Sequence, residues 1–177
     1  MNAPYLAAGL TTRPPEWSQP VVVDRALSLT QPWASLLVSG KKRIETRSWA
    51  TQYRGWLAIH AAKTFPGHCV ALCNKERFRS ALADIGIFNP GDLPLGALLG
   101  VAWLGECLHT DDVTWDRESD EYAFGNFEPG RYAWCCDGAL GLLRPMPAKG
   151  HLSIWKLASS GVGISDQDLG PTIWGLI

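Results

Sequence analysis

The sequence has no run of 18 consecutive apolar residues, so it predicts no transmembrane helix. Its first 20 residues lack a basic start followed by a sustained apolar stretch, which is the pattern of a secretory signal peptide. The chain has five cysteines, and an odd number fits a reducing compartment better than a disulfide framework. We therefore expect a cytoplasmic protein that has no membrane partner.

Metal-binding arrangements are missing as well. The segment HCVALC places His68, Cys69 and Cys73 in an apolar, helix-like run, and no second pair follows at a zinc-finger or zinc-ribbon spacing. Cys135 and Cys136 are adjacent, so on a strand their side chains point to opposite faces. The sequence therefore predicts no metal site, and it offers no signature of another cofactor.

Charge is nearly balanced overall, at a formal −1, but it is unevenly distributed along the chain. Residues 76–137 contain twelve Asp or Glu and four Arg. Residues 25–75 contain one acid, Glu45, and these eight basic residues: Arg25, Lys41, Lys42, Arg43, Arg47, Arg54, Lys63 and Lys75. Two arrangements are compatible with this pattern. Either an electropositive face lies beside an acidic lobe, or folding mixes the two halves and cancels the field.

What is present is a pattern of short apolar strands. Residues 1–20 predict an extended arm, residues 21–158 a single domain, and residues 159–177 a tail that docks on the domain. Strands are predicted in VVVDRALSL, KRIETRSW, GWLAIHAA, LPLGALLGVAWLGECLHT, RYAWCCDG and HLSIWKLA. The segment LRPMPAKG is predicted to be the loop between the last two, and the glycines of the fourth strand predict bulges or bends.

Two helices are predicted between these strands. TQPWASLLVSG has Thr30 as a candidate cap and Gly40 as a stop, and HCVALCNKERFRSALADIG ends at Gly86. Five or six short mixed strands with two or more flanking helices give an α+β fold. The bend-forming glycines favour a small, partly open β-barrel.

Five segments, in order, closely resemble an ASCH domain, and the resemblance is strongest to the activating signal cointegrator type. They are LSLTQPWASLLVSGKKRIETRSW, YRGWLAIHAAK, GALLGVAWLGEC, YAW and PAKGHLSIWKL, and they run from about residue 26 to 157. The family motif G-x-K-x-x-E-x-R is complete as Gly40, Lys42, Glu45 and Arg47. The resemblance implies a PUA-like β-barrel, a fold often used to bind RNA, with a cleft lined by the motif residues.

Nucleic-acid or nucleotide binding is the function that this resemblance favours. Arginine can fork onto a phosphate or a base edge, and aromatic rings can stack on a splayed base. The candidate binding residues are Gln31, Trp33, Lys41, Lys42, Glu45, Arg47, Arg54, Lys63 and Lys149, with Tyr53, His60 and His151 as a second group. Because the overall charge is small, we expect RNA or DNA that is short or single-stranded, or a nucleoside or nucleotide.

A small hydrolase is the alternative. Some relatives act on N4-acylated cytidines or on RNA, and here Lys42 and Glu45 would form a metal-independent acid/base pair. The amidohydrolase relatives carry a threonine where Glu45 stands, whereas Thr46 should face the other side of the strand, so a threonine nucleophile is not expected. Glu106 is a candidate second acid. In a third interpretation, the acidic loop 111–121 contacts a protein partner.

Overall fold

The computed structural model describes residues 21–157, 162–164 and 167–168. Its strands are β1 (Val21–Val23), β2 (Arg25–Leu29), β3 (Ile44–Arg47), β4 (Gly55–Ala61), β5 (Ala97–His109), β6 (Tyr132–Pro147), β7 (Ile154–Lys156) and β8 (Val162–Ile164). Its helices are α1 (Trp33–Val38), α2 (Gly67–Cys73), α3 (Glu76–Ala83) and α4 (Asp120–Ala123). The predicted arm at residues 1–20 lies outside the described residues.

Six strands form one mixed sheet in the order β3-β6-β5-β4-β2-β7, which curls into a half-barrel. The β2–β4 pair is parallel, and the other neighbouring pairs are antiparallel. The predicted α+β barrel with mixed strands and flanking helices is therefore confirmed. A second, two-stranded sheet pairs β1 with β8, and the Leu143 N–H donates to the Asp168 carbonyl at 2.8 Å.

The long β5–β6 pair is irregular, as the glycines predicted. Its register shifts at three places, one of them between Leu98 and Gly100. A Cβ atom added to Gly100 would lie 2.2 Å from the Leu140 carbonyl oxygen, so only glycine allows the two backbones to approach this closely. These irregularities bend the sheet and bring its two ends toward each other.

The barrel interior is apolar and is covered at one end by α1. Leu27, Ile59 and Trp134 are fully buried there, and Leu37 of α1 packs into the same cluster. An adjacent face of α1 presents Leu36 to a second cluster that includes Phe78 of α3 and Phe124, which follows α4. This helix therefore joins the barrel to the helical layer that borders the candidate site.

Both predicted helix stops are confirmed, but the predicted cap is wrong. Gly40 and Gly86 have φ of 73° and 80°, and each ends its helical segment. Thr30 does not cap α1, because the helix begins after Pro32 and no side chain caps it there. The side chain of Gln31 supplies the nearby acceptor instead, since its Oε1 accepts from the Ser35 N–H at 3.1 Å.

Three other boundaries differ from the sequence prediction. The first predicted strand is interrupted at Asp24 and divides into β1 and β2. The second predicted helix is two helices, because Lys75 is extended (φ −71°, ψ 143°) between α2 and α3. LRPMP is not a loop: β6 continues through it to Pro147, which pairs with Ala97 of β5. Pairing with a long partner strand overrides the local preference of the two prolines.

Candidate functional site

Two clefts open on either side of Ser28, near the end of β2. The first has a volume of about 440 Å³ and is called the motif cleft here, because two motif residues line it. Its walls come from the end of β2, from β3 and from the helical layer. The lining residues are Ser28, Leu29, Thr30, Trp33, Glu45, Thr46, Arg47, Leu72, Phe78, Ala123, Phe124, Gly125, Asn126 and Arg131.

Lys42 supports the motif cleft from behind but does not line it. The turn at Gly40 reverses the chain, and the Lys42 N–H donates to the Leu36 carbonyl at 2.9 Å. The side chain then enters the protein and is 1% exposed. Its ammonium donates to the Ile44 carbonyl and lies 3.7 Å from Glu45 Oε2. Lys42 is therefore a buried positive charge that holds Glu45 in place.

Glu45 and Arg47 occupy the same face of β3, as their alternation predicts. Arg47 Nε lies 2.9 Å from Glu45 Oε1 as an ion pair, without the alignment of a hydrogen bond. The guanidinium also sits over the ring of Trp134, 5.9 Å from its centroid. These contacts fix the arginine at the wall of the cleft and leave it only partly buried.

Arg47 also joins the two ends of the curled sheet. The β2–β7 pairing stops at Leu27, so the Ser28 carbonyl has no partner in β7. Arg47 Nη2 donates to this carbonyl at 3.2 Å. A side-chain hydrogen bond from β3 to β2 therefore bridges the seam of the half-barrel at the point where the motif cleft opens.

Arg131, Asn126 and Thr46 complete the cleft, and the sequence analysis missed them as site residues. Arg131 donates from Nε to the Asn126 carbonyl at 3.1 Å and from Nη2 to the Thr46 carbonyl at 3.4 Å. Within the described part of the chain Arg131 has no ion pair. A prediction that KRIETRSW pairs with RYAW would have placed Arg131 near the motif, because Arg47 is opposite Tyr132, the residue after Arg131, in the β3–β6 ladder.

Apolar side chains also line the motif cleft. Trp33 Nε1 donates to the Phe124 carbonyl at 2.7 Å, and its ring packs edge-on against Phe78 at 6.3 Å between centroids. Trp33 is half-buried and lines the cleft, whereas Trp49 packs on Trp134 at 4.5 Å in the barrel. Trp33 is the one predicted stacking residue that the structure brings to the motif cleft.

The acidic segment 111–121 lies outside the lining of both clefts, and several of its carboxylates accept hydrogen bonds from other parts of the protein. Glu121 accepts from the N–H groups of Arg43 and Ile44 at 2.8 and 2.9 Å, which ties α4 to the start of β3. Burial raises the pKa of Glu121, against the opposing effect of Lys42 and the two N–H groups. A protein contact through this segment stays a prediction.

Folding mixes the basic and acidic parts of the sequence. Lys41 pairs with Asp84 and Arg43 with Asp137, each at 2.7 Å. Both pairs join a residue of the basic region 25–75 to one of the acidic region 76–137. Of the two arrangements compatible with the sequence, these pairs support the one in which the halves neutralise each other.

The second cleft, about 900 Å³ in volume, gathers both predicted candidate histidines and two predicted lysines. We call it the histidine cleft. Its lining residues are Ser28, His60, Ala62, Lys63, Leu95, Gly96, Pro147, Ala148, Lys149, Gly150, His151 and Leu152. Its charged side chains, Lys63 and Lys149, are basic, and its other ionisable side chains are the two histidines. The predicted binding residues Arg47, Lys63 and Lys149 are therefore divided between two clefts that share Ser28.

His60 forms the floor of the histidine cleft and is 2% exposed. Its Nε2 lies 3.1 Å from the Ala148 carbonyl, and because a carbonyl can only accept, Nε2 carries the hydrogen. Nδ1 is buried and has no hydrogen-bond partner among the described residues. Burial lowers the pKa of His60, which keeps the ring neutral near pH 7.

Other predicted binding residues have structural contacts away from the clefts. Gln31 is fully buried and donates to Ser35 Oγ and the Pro94 carbonyl. The Tyr53 hydroxyl donates to the Trp56 carbonyl at 2.7 Å, and Arg54 donates to carbonyls of its own turn. These three residues and Lys41 are not among the lining residues of the motif cleft or the histidine cleft.

Glu106 is poorly placed to act with Glu45. The ladders put Ile44, Cys135 and Glu106 in one cross-strand row and Glu45, Trp134 and Cys107 in the next. Since side chains alternate between faces along a strand, the side chains of Glu106 and Glu45 project from opposite faces of the sheet. The predicted second acid is therefore on the wrong side of the sheet.

Two further features concern metals and membranes. Within residues 21–157 and the two short described segments, no three His, Cys, Asp or Glu side chains are grouped to hold a metal ion. In the same residues, no helix is long and apolar enough to cross a membrane. The five cysteines, all within residues 21–157, form no disulfide bond there.

The comparisons by sequence agree on one family. The ASCH domain model matches residues 27–143. The human and mouse proteins named activating signal cointegrator 1 are 36% and 33% identical over 135 and 142 residues, which is 75% of this chain. The match spans 22% of the length of each relative. A crystal structure of ASCH from Zymomonas mobilis is 16% identical with a TM-score of 0.48, and the match covers 76% of this chain and 87% of that one.

Proposed function

This chain belongs to the ASCH domain family, whose PUA-like fold is associated with RNA binding, and we propose that it binds a nucleotide unit of single-stranded nucleic acid in the motif cleft. The observation that carries the proposal is that two arginines, Arg47 and Arg131, line the same cleft as Trp33. This combination of fixed cations and an aromatic surface is what phosphate contact and base stacking require.

The charge of the cleft suits an anion. Its charged lining residues are Glu45, Arg47 and Arg131, which leaves one excess positive charge, and Lys42 adds a second from behind. Glu45 pairs with Arg47 without removing its remaining N–H donors, because a guanidinium carries five. An incoming phosphate oxygen or base edge therefore meets oriented donors.

The size of the cleft points to a small unit. A volume of about 440 Å³ lies in the usual range of about 300–1,000 Å³ for small-ligand sites. The exposed Asn126 at the rim offers an amide that can pair with a base edge. A duplex has its bases stacked inside and cannot deliver one to such a cleft, so a single strand or a nucleotide fits better.

The geometry does not favour hydrolysis by Lys42 and Glu45. The Lys42 ammonium is buried, donates to the Ile44 carbonyl and does not line the motif cleft. A general acid or base must come within hydrogen-bonding reach of the substrate. Lys42 would have to leave its buried position to do so.

Fluorescence anisotropy with labelled single-stranded RNA and DNA of about eight nucleotides tests the proposal, since such lengths match known single-strand sites. We expect Arg131→Ala to weaken binding by about 1–3 kcal/mol, the usual effect of losing an arginine contact. Arg144→Ala is the matched control, because Arg144 is exposed on β6 outside both clefts, and it should change affinity less than about twofold. Unmeasurable binding at low salt, or equal effects of the two substitutions, would refute the proposed function.

A further inference from the structure

The histidine cleft has the character of an anion site. Lys63 and Lys149 are exposed at its rim, and His60 and His151 are its other titratable residues. No Asp or Glu is among the lining residues, all of which lie in the described part of the chain. Leu95 and Leu152 add exposed apolar surface, so the cleft can hold an anion that also has an apolar part.

The loop that carries Lys149 and His151 is held firmly on His60. His60 Nε2 donates to the Ala148 carbonyl, and a Cβ added to Gly150 would lie 2.5 Å from His60 Nδ1 and 2.8 Å from Ser28 Oγ. Only a glycine can sit this close to the imidazole. His60 is therefore a positioning residue that fixes the loop between its hydrogen bond and this contact.

The two clefts are joined through a single residue. The Ser28 carbonyl accepts from Arg47 of the motif cleft, and its hydroxyl accepts from Trp155 Nε1 at 3.1 Å. The Trp155 ring in turn contacts the rings of His60 and His151, at 5.9 and 5.1 Å between centroids. A nucleic-acid strand that extends out of one cleft would therefore enter the other by crossing a single residue of β2, Ser28.

We propose that the histidine cleft binds the adjoining phosphodiester of the same nucleic-acid strand whose nucleotide occupies the motif cleft. The inference rests on the proposed function and deepens it, because it makes the ligand a strand of at least two nucleotides. Lys63 and Lys149 contact the phosphate, and the apolar rim covers the neighbouring sugar or base. The two clefts then act as consecutive subsites of one track.

The test compares a nucleoside monophosphate with single-stranded oligonucleotides of increasing length, using the wild-type chain and Lys63→Gln/Lys149→Gln. For the wild type we expect oligonucleotides to bind at least about tenfold tighter than the monophosphate, as linked subsites do. The double variant should lose most of this gain while its affinity for the monophosphate is unchanged. Its salt dependence should fall by about 0.7 in logarithmic slope, for the one single-strand phosphate contact that is lost.

A second variant tests the track without changing charge. Gly150→Ala should displace the 148–151 loop from His60 and reduce the increase in affinity from monophosphate to oligonucleotide. Gly67→Ala, at a position with open space around it, should leave this increase unchanged. Unchanged oligonucleotide affinity and salt slope in the lysine double variant would overturn the inference, as would an equal loss for the monophosphate. Selective binding of an acidic peptide at these lysines would overturn it too. Failure of the proposed function looks different, because then Arg131→Ala has no effect on any ligand.

Discussion

Lys42 offers the sharpest test of how the motif works, because its charge is buried and its role is to hold Glu45. In Lys42→Met the aliphatic part of the side chain is retained and the ammonium is lost. The Lys42 Nζ to Glu45 Oε2 distance of 3.7 Å corresponds to an attraction of about 4 kcal/mol at an effective dielectric constant of about 20. Burial of the ammonium opposes this, and Arg47 still pairs with Glu45 after the substitution.

We therefore expect Lys42→Met to lower the free energy of unfolding by about 3 kcal/mol, at the low end of the usual effect of breaking a buried ion pair. Equilibrium unfolding in urea, followed by tryptophan fluorescence, measures this loss. The slope of the free energy against denaturant should stay constant, since the substitution changes stability and not compactness.

Lys41→Met is the matched control. Lys41 is the neighbouring residue, is partly exposed and pairs with Asp84 at the surface, so its loss should cost less than about 1 kcal/mol. Combining Lys42→Met with Glu45→Gln should cost less than the sum of the two single effects, because the pair is removed as a unit. If Lys42→Met is no more destabilising than Lys41→Met, the motif lysine does not act as a buried support and the reasoning fails.

Two further predictions concern the sheet and the histidine cleft. Gly100→Ala should destabilise the fold by about 2–3 kcal/mol, because its Cβ would lie 2.2 Å from the Leu140 carbonyl oxygen. Gly141→Ala should change stability by less than about 1 kcal/mol, because no atom lies nearer than 4.0 Å to the added Cβ. Urea unfolding compares the two variants, and equal effects would contradict the packing argument. The lowered pKa of His60 means that the unfolded chain takes up this proton more readily, so stability should fall as the pH drops below about 6.5. His60→Gln should remove this part of the pH dependence. If the difference in unfolding free energy between wild type and variant stays constant from neutral pH to pH about 5, the buried imidazole is not the source of the pH dependence.

The sequence predicted the architecture well, because apolar alternation and glycine placement are local signals. Gly40 and Gly86 end their helices where expected, and the strand pattern gave the mixed half-barrel. The division of the second predicted helix at Lys75 and the extension of β6 to Pro147 were not predictable in the same way. Both depend on what the segment packs against, which periodicity does not contain.

The candidate site shows the same limit more clearly. The motif placed Glu45 and Arg47 correctly on one face of β3, but it gave no sign that Lys42 turns into the interior. Arg131 came to the cleft through the pairing of β3 with β6, a long-range contact that single-residue patterns do not reveal. Lys63 and Lys149 line a different cleft from Arg47, and this division is a property of the folded sheet that the sequence pattern does not contain.

The hydrogen bond from Arg47 to the Ser28 carbonyl has a consequence for how the affinity of this domain can evolve. Arg47 both closes the seam of the half-barrel and lines the motif cleft, so a substitution that adjusts ligand contact there also changes stability. The Arg131 guanidinium donates to the carbonyls of Asn126 and Thr46 and does not bridge this seam, so affinity can vary there while the barrel stays closed. Divergence in ligand preference among such domains should therefore accumulate at the Arg131 side of the cleft before it reaches Arg47.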